Sequence, residues 1–464
     1  MSKRWVFWVL GAALLALVAA SVTMQLRRSR KSADARAGME LTMLAKMALA
    51  GTSMPGTPAD AYEQPLLAKL DQVSQSPSPQ DRARALRRKA IWCSLRKLDC
   101  TAESLDALDR IPAADRLPAP ADEAAVLREI LSGAPLPADR VTALEARLPE
   151  IRLGWFDRLL RERLYRHAGD AARADEAQAA ALSSALLAMV AVLAFTGLLA
   201  GGVLAWLTLI VFAPLRAKIL TQLRESLAKR GEAREGDASR QLAVVVTFFA
   251  ASLVIPLAAV PLGLMEGTTP LARAAWTLAL EALLLALVLI AHHVFTKPAG
   301  VDLGFRPTRP LRALGVGALA YLLLWPVLVI VLLPLGSLFE KLGLPTQSHP
   351  IVEQLQGAAE NPGVFALWLV IAAVLAPLLE EAVFRGSLHG AVESRLGGWA
   401  ALFLVAVLFA IIHPQVGLGL VGVFLVGLAL SLVRIHEGTL WPGVVLHAIN
   451  NGVALLLATA LLSG

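Results

Sequence analysis

Apolar positions fall along this chain in two patterns. Between residues 32 and 182 they recur every three or four residues, as in Arg82–Leu98, Ala121–Leu131 and Val141–His167, the spacing of amphipathic helices packed on a core. Elsewhere they form long unbroken runs: Trp5–Met24, Ser184–Ala213, Leu242–Leu264, Leu271–Phe295, Leu314–Leu335, Val364–Phe384, Trp399–His413, Val416–Val433 and Leu440–Leu462. Crossing the ~30 Å hydrocarbon layer takes about 20 apolar residues in a helix, so these nine runs predict transmembrane helices. The expected fold is all-α: a polytopic transmembrane helix bundle with an N-terminal anchor over 1–31, an extramembrane helical domain over 32–182 and the bundle itself over 183–464.

The first run is preceded by Lys3 and Arg4 and followed by Arg27, Arg28, Arg30 and Lys31, with no convincing small-x-small cleavage site between, so it reads as an uncleaved signal anchor. The helical domain is punctuated by the Pro- and Ser-containing stretches Gly51–Pro58, Ser74–Gln80 and Pro112–Pro120. Its hairpins resemble tetratricopeptide repeats in texture but follow no clean period. The two runs flanking Pro414 are short for spans, and the proline is a point where the chain can kink.

Composition agrees with a protein that uses the bilayer as solvent. Of 464 residues 56% are hydrophobic and only 17% charged, and the mean hydropathy is +0.62. The formal net charge of +7 does not signal a nucleic-acid partner, because the basic residues gather in short loops beside apolar runs and no aromatic-basic clusters recur. Arg216, Lys218, Arg224, Lys229, Arg230, Arg234 and Arg240 follow the second run, and Lys297, Arg306, Arg309 and Arg312 follow the fourth. Both loops are expected inside, which places residues 32–182 on the exported face, in keeping with a bacterial inner membrane. The Arg27–Lys31 cluster runs against this order, but two independent loops outweigh it. Cys93 and Cys100 are the only cysteines. On one straight helix they would stand nearly two turns apart, too far to bridge, so a disulfide and two unpaired thiols both remain open, the disulfide requiring an extracytosolic domain.

Charged groups inside apolar spans cost at least ~2.5–3.5 kcal/mol at a helix centre and are functional candidates for that reason. Three groups stand out. In Glu380-Glu381-Ala-Val-Phe384-Arg385 the second glutamate and the arginine are four residues apart, on one helix face, while Glu380 is turned about 100° away; one carboxylate is neutralised and the other left available. Pro377, just ahead, removes a backbone donor and can admit water. In Phe409-Ala-Ile-Ile-His413 a histidine ends an apolar run, with an aromatic one turn before it. In His447-Ala-Ile-Asn450-Asn451 the histidine and Asn451 share a face within the last run. Taken singly, each has a plain structural reading as an ion pair or an interhelical hydrogen bond. Together, a carboxylate, two imidazoles and an amide on three spans can surround one water and provide a general base, donors for a developing oxyanion and possible metal ligands.

The ordered motifs Glu-Glu-x-x-x-Arg, Phe-x-x-x-His and His-x-x-x-Asn resemble those of the CAAX protease and bacteriocin-processing family, also called the ABI or type II CAAX prenyl endopeptidase family, of intramembrane endopeptidases. The resemblance covers about residues 242–462, is motif-specific over 377–451, and leaves 1–182 untouched. It implies that Glu380 activates water, that His413 positions it, that His447 and Asn451 stabilise the oxyanion, and that Glu381 and Arg385 brace the site beside Phe409. The family's zinc label implies a divalent metal held by Glu380, His413 and His447, although no His-Glu-x-x-His ligand pair is present. The other histidines have plain readings: His292 and His293 at a span end, His349 in a loop, His389 and His436 flanking spans. Gly417, Gly419, Gly422 and Gly427 read as close-packing positions.

The leading expectation is an intramembrane endopeptidase acting on a peptide or membrane-protein substrate, prenylated or not, with a protein partner for residues 32–182 as a further expectation. The rivals are a non-proteolytic scaffold or immunity-type protein of the same fold and a transporter. A scaffold needs none of the polar motif residues, and a transporter favours inverted repeats, which are not seen here.

Overall fold

The computed structural model describes residues 4–29, 35–54, 58–116, 120, 122–228, 237–259, 269–306, 308–342, 361–413, 415 and 417–462. Arg30, Lys31, Lys229, Arg230, Arg234 and His349 lie outside them. Among the described residues the regular structure is entirely helical. The chain divides into two compact units, one of Asp34–Ala194 with Leu457–Gly464, the other of Met1–Ala33 with Phe195–Leu456.

The first unit contains α2 (Ala35–Thr52), α3 (Ala59–Ser74), α4 (Pro79–Arg96), α5 (Cys100–Asp109), α6 (Glu123–Leu131), α7 (Ala138–Ile151), α8 (Phe156–His167) and the first half of α9 (Ala171–Val211). Their starts follow local chemistry: the Ser78 hydroxyl accepts from the Asp81 N–H and Pro79 occupies the first helical position, where its missing donor does no harm. Successive helices from α2 to α6 pack on one another and α8 closes over α4 and α6, around Trp92, Trp155, Phe156, Ile91 and Leu127. Each large aromatic buried in this way contributes on the order of 2–3 kcal/mol. Trp155 satisfies its indole N–H on the Ser184 hydroxyl at 2.6 Å.

Helix α4 ends at Lys97, whose left-handed φ of 56° turns the chain sharply into α5. Cys93 and Cys100 therefore belong to two neighbouring helices rather than one. Their Cα atoms stand 5.7 Å apart and the sulfurs are joined as a disulfide.

The second unit contains α1 (Arg4–Ser29), the rest of α9, α10 (Ala213–Ala228), α11 (Asp237–Ala259), α12 (Pro270–Phe295), α13 (Pro310–Lys341), α14 (Pro362–Leu396), α15 (Gly398–Ile412), α16 (Leu418–Glu437) and most of α17 (Trp441–Leu462). Seven helices of the described residues are long and apolar enough to cross a membrane: α9, α11, α12, α13, α14, α16 and α17. The protein is thus an integral membrane protein by its helices. The first run lies within the 26-residue α1, whereas Gly398–Ile412 is shorter than a span; at about 1.5 Å per residue, α15 falls short of the ~30 Å core.

Helix α14 is the centre of this bundle. Asn361 caps it, accepting from the N–H groups of Gly363 and Val364, with Pro362 at its first position. Its first half packs on α12, its second half on α11 and α15. It is not uniformly wound: wider π-helical turns occupy Ile371–Leu375 and Ala382–Leu388. Such turns concentrate at functional sites because they re-aim side chains without breaking the helix.

Candidate active site

Residues 380–385 occupy the helical turn between the two π segments and the start of the second. The Glu381 carboxylate and Arg385 guanidinium are both fully buried and meet at 2.9 Å (Oε1 to Nη1). Arg385 Nη2 also donates to the Gly427 carbonyl at 3.0 Å, and its guanidinium lies over the Phe409 ring, 4.4 Å from the centroid. Phe409 packs edge-on against Phe384 with centroids 5.2 Å apart. The cation is therefore held on three sides by groups that tolerate its burial. Gly427 makes room for this: a Cβ there would come within 3.2 Å of both the Ala406 Cα and Phe409 Cδ1.

His413 ends α15 with an extended backbone (φ −73°, ψ 144°), as expected of the residue before a proline. Its Nδ1 lies against the Phe409 carbonyl, one of the carbonyls that the end of the helix leaves open. This hydrogen bond turns Nε2 towards Glu380, 3.6 Å from Oε2. His447, in α17, is oriented in the same way by a different acceptor. Its Nδ1 lies 3.3 Å from Glu381 Oε1 and its Nε2 3.6 Å from Glu380 Oε2. Gly443, one turn earlier, leaves space for the carboxylate; a Cβ there would approach Glu381 Oε2 to 3.1 Å.

Glu380, His413 and His447 thus converge from α14, α15 and α17, with one carboxylate oxygen facing two imidazole Nε2 atoms. Exposure divides the cluster by task. Glu380 and His413 keep 20% and 17% of their side-chain surface open, whereas Glu381, Arg385 and His447 keep 0%, 0% and 3%. Glu380 is the more exposed of the two adjacent carboxylates, although its Oε2 is buried and without a hydrogen-bond partner among the described residues. Phe409 touches both histidines, with ring centroids 4.3 Å from His413 and 5.7 Å from His447. Asn451 sits one turn beyond His447, and its amide donates to the Ala372 carbonyl at 3.0 Å and accepts from Asn450 at 3.2 Å.

Among the described residues no three His, Cys, Asp or Glu side chains are arranged to hold a metal ion as they stand. Glu380, His413 and His447 offer a donor set of suitable type but not that arrangement.

Two features were missed from the sequence. Glu381 is more than a brace for Arg385, since the same oxygen also orients His447. Glu281, the single acidic residue of α12, belongs to a helix packed against the segment that carries Glu380. The cost of an intramembrane charge would have singled it out within the apolar run Leu271–Phe295. The remaining histidines take structural places: His292 bonds Thr296, His389 is buried near Glu393, and His436 pairs with Glu437.

Residues 362–453 match the family described as Rce1-like, type II CAAX prenyl endopeptidase Rce1-like. All of the motif residues above fall in that stretch, which is thus similar to a protease family. The chain is also 36% identical over 110 residues to an uncharacterized 24.3 kDa protein of Escherichia coli, an overlap of 23% of this chain and 49% of that protein. The chain thus spans about half the length of the curated relative it matches. No solved structure matches it.

Proposed function

We propose that the chain is an intramembrane endopeptidase that hydrolyses a peptide bond of a membrane-associated peptide or membrane protein. The observation that carries this reading is the approach of Glu380 Oε2 to within 3.6 Å of the Nε2 atoms of both His413 and His447. In this scheme Glu380 takes a proton from a water beside it as the oxygen attacks the peptide carbonyl, and later passes that proton to the leaving amine. His413 positions the water. His447 donates from Nε2 to the oxyanion.

The Glu381 carboxylate beside Nδ1 of His447 supports the last assignment, because it holds the ring with Nε2 towards Glu380. Burial of Glu381, Arg385 and His447 makes these interactions stronger than they would be in water.

The same reading places the helical domain, residues 32–182, outside the cytosol, where it would meet a substrate or partner. The Cys93–Cys100 disulfide supports this, since such bonds persist in oxidising compartments, and so do the basic loops at 216–240 and 297–312. The test is a quantitative comparison of membrane proteomes from cells making the wild type and Glu380→Ala. A membrane peptide or protein shortened only with the wild type is expected; identical peptide termini in both would sink the proposal.

A further inference from the structure

Pro377 leaves the neighbouring π turn one donor short. In that turn the Ala376 N–H reaches back five residues to the Ile371 carbonyl. The carbonyl of Ala372 comes next, and the residue five ahead of it is Pro377, which has no N–H to give. A peptide carbonyl without a partner inside a membrane bundle costs several kcal/mol in a purely apolar surrounding, so a side chain must supply the donor. Asn451 does so, its Nδ2 donating to Ala372 O at 3.0 Å, while Asn450 donates to Asn451 Oδ1 at 3.2 Å and fixes the amide's orientation. Helix α17 is close enough here that a Cβ on Gly452 would stand in ordinary contact with Ala373, 3.7 Å away.

The consequence reaches the site because Glu380 lies three residues beyond Pro377 on the same continuous helix. The widening at Ile371–Leu375 sets the rotation at which α14 presents Glu380 to His413 and His447. We infer that Asn451 is a positioning residue, which completes the π turn broken by Pro377 and thereby aims Glu380. This inference rests on the reading of Glu380 as the general base. It explains why an amide is needed one turn after His447: the partner is a backbone oxygen whose helical donor the proline removes.

The experiment is a double-mutant cycle with Pro377→Ala, which restores an N–H at that position, and Asn451→Ala, each purified in one detergent. With Pro377 present, N451A is expected to lower the melting temperature by roughly 3–8 °C; in the P377A background that loss falls to less than half. Equal losses in the two backgrounds overturn the inference. Should N451A be unrecoverable, Asn451→Asp replaces it in the same cycle: recovery only in the P377A background is the expected result, and failure in both backgrounds overturns it.

Activity on a quenched-fluorescent peptide library supplies the second readout. N451A is expected to shift the pH profile of kcat, because the base is re-aimed, and P377A to return the profile towards the wild type. A fall in kcat with an unmoved profile, unrelieved by P377A, would assign Asn451 to the oxyanion. Full activity in Glu380→Gln would defeat the general-base reading, yet the melting cycle would still report on the Pro377–Asn451 link, so the two failures are distinguishable.

Discussion

Nδ1 of His447 lies 3.3 Å from the Glu381 oxygen that also receives Arg385 at 2.9 Å. One buried carboxylate therefore fixes both a cation and the imidazole that faces Glu380, and the two adjacent glutamates should fail differently when removed. Glu381→Gln strands a buried guanidinium, an effect worth about 3–5 kcal/mol, so melting temperature and yield fall together with activity. Glu380→Gln leaves the Glu381–Arg385 pair and the Glu381–His447 contact in place. It should fold and insert normally while hydrolysis falls about 10²–10⁴-fold. Thermal melts and turnover of both variants in one detergent check this; equal stability of the two would refute the bracing role.

Gly427 offers a test that touches no polar residue of the site. Its added methyl in Gly427→Ala would press on Phe409 and on the α15 backbone at Ala406, both 3.2 Å from the ideal Cβ position. Overpacking of this kind costs about 1–3 kcal/mol. Phe409 supports Arg385 and flanks both histidines, so kcat should drop more than the melting temperature alone suggests. Unchanged activity at a lowered melting temperature would confine Gly427 to packing.

The helices and the polar motifs were legible in the sequence for a simple physical reason: apolar runs of span length have few alternative folds, and charges inside them are costly. The four-residue spacing of Glu381 and Arg385 likewise dictated their pairing. Three things were hidden. The turn at Lys97 that brings Cys93 to Cys100 depends on a left-handed residue other than glycine, which sequence patterns rarely mark. The π turns of α14 leave no periodic signature over five or seven residues. The contact of Glu381 with His447 joins residues 66 positions apart and follows only from how α14 meets α17.

Metal dependence can be separated from glutamate chemistry directly. Each histidine of the site has Nδ1 against an acceptor and Nε2 towards Glu380. If Glu380 alone activates the water, as proposed, dialysis against a strong chelator leaves hydrolysis within about twofold of the untreated enzyme. A loss restored by added zinc, with matching metal content in the purified protein, would instead make Glu380, His413 and His447 ligands.

The disulfide ties stability to topology. Closing a short loop between α4 and α5 is worth about 2 kcal/mol in the chain-entropy account, so Cys93→Ser with Cys100→Ser should lower the melting point of the helical unit by several degrees. In whole cells the native cysteines should resist alkylation until reductant is added, and a reporter fused near residue 120 should score as exported. Free thiols with a cytoplasmic reporter score would reverse the orientation.

Lys46 gives a pH dependence confined to the helical unit. Its side chain is fully buried, its Nζ donates to the Ala460 carbonyl at 3.3 Å, and burial, reinforced by the charge of Arg158, brings its pKa down from 10.5 to about 8. The sign follows from proton counting. Below pH 8 the lysine is charged in both folded and unfolded chains, and the folded state bears the full cost of the buried charge. Between about 8 and 10.5 the unfolded chain holds the proton more tightly, so stability rises with pH; above 10.5 the penalty has gone. The shift corresponds to about 3 kcal/mol, from which the hydrogen bond to Ala460 offsets about 1. Lys46→Met should accordingly melt about 4–8 °C higher than the wild type at pH 7, and the gap should close as pH rises through 8 towards 10.5. Other lysines titrate alike in both proteins and cancel in the difference, so a gap that stays constant across this window would show that Lys46 is not the group responsible.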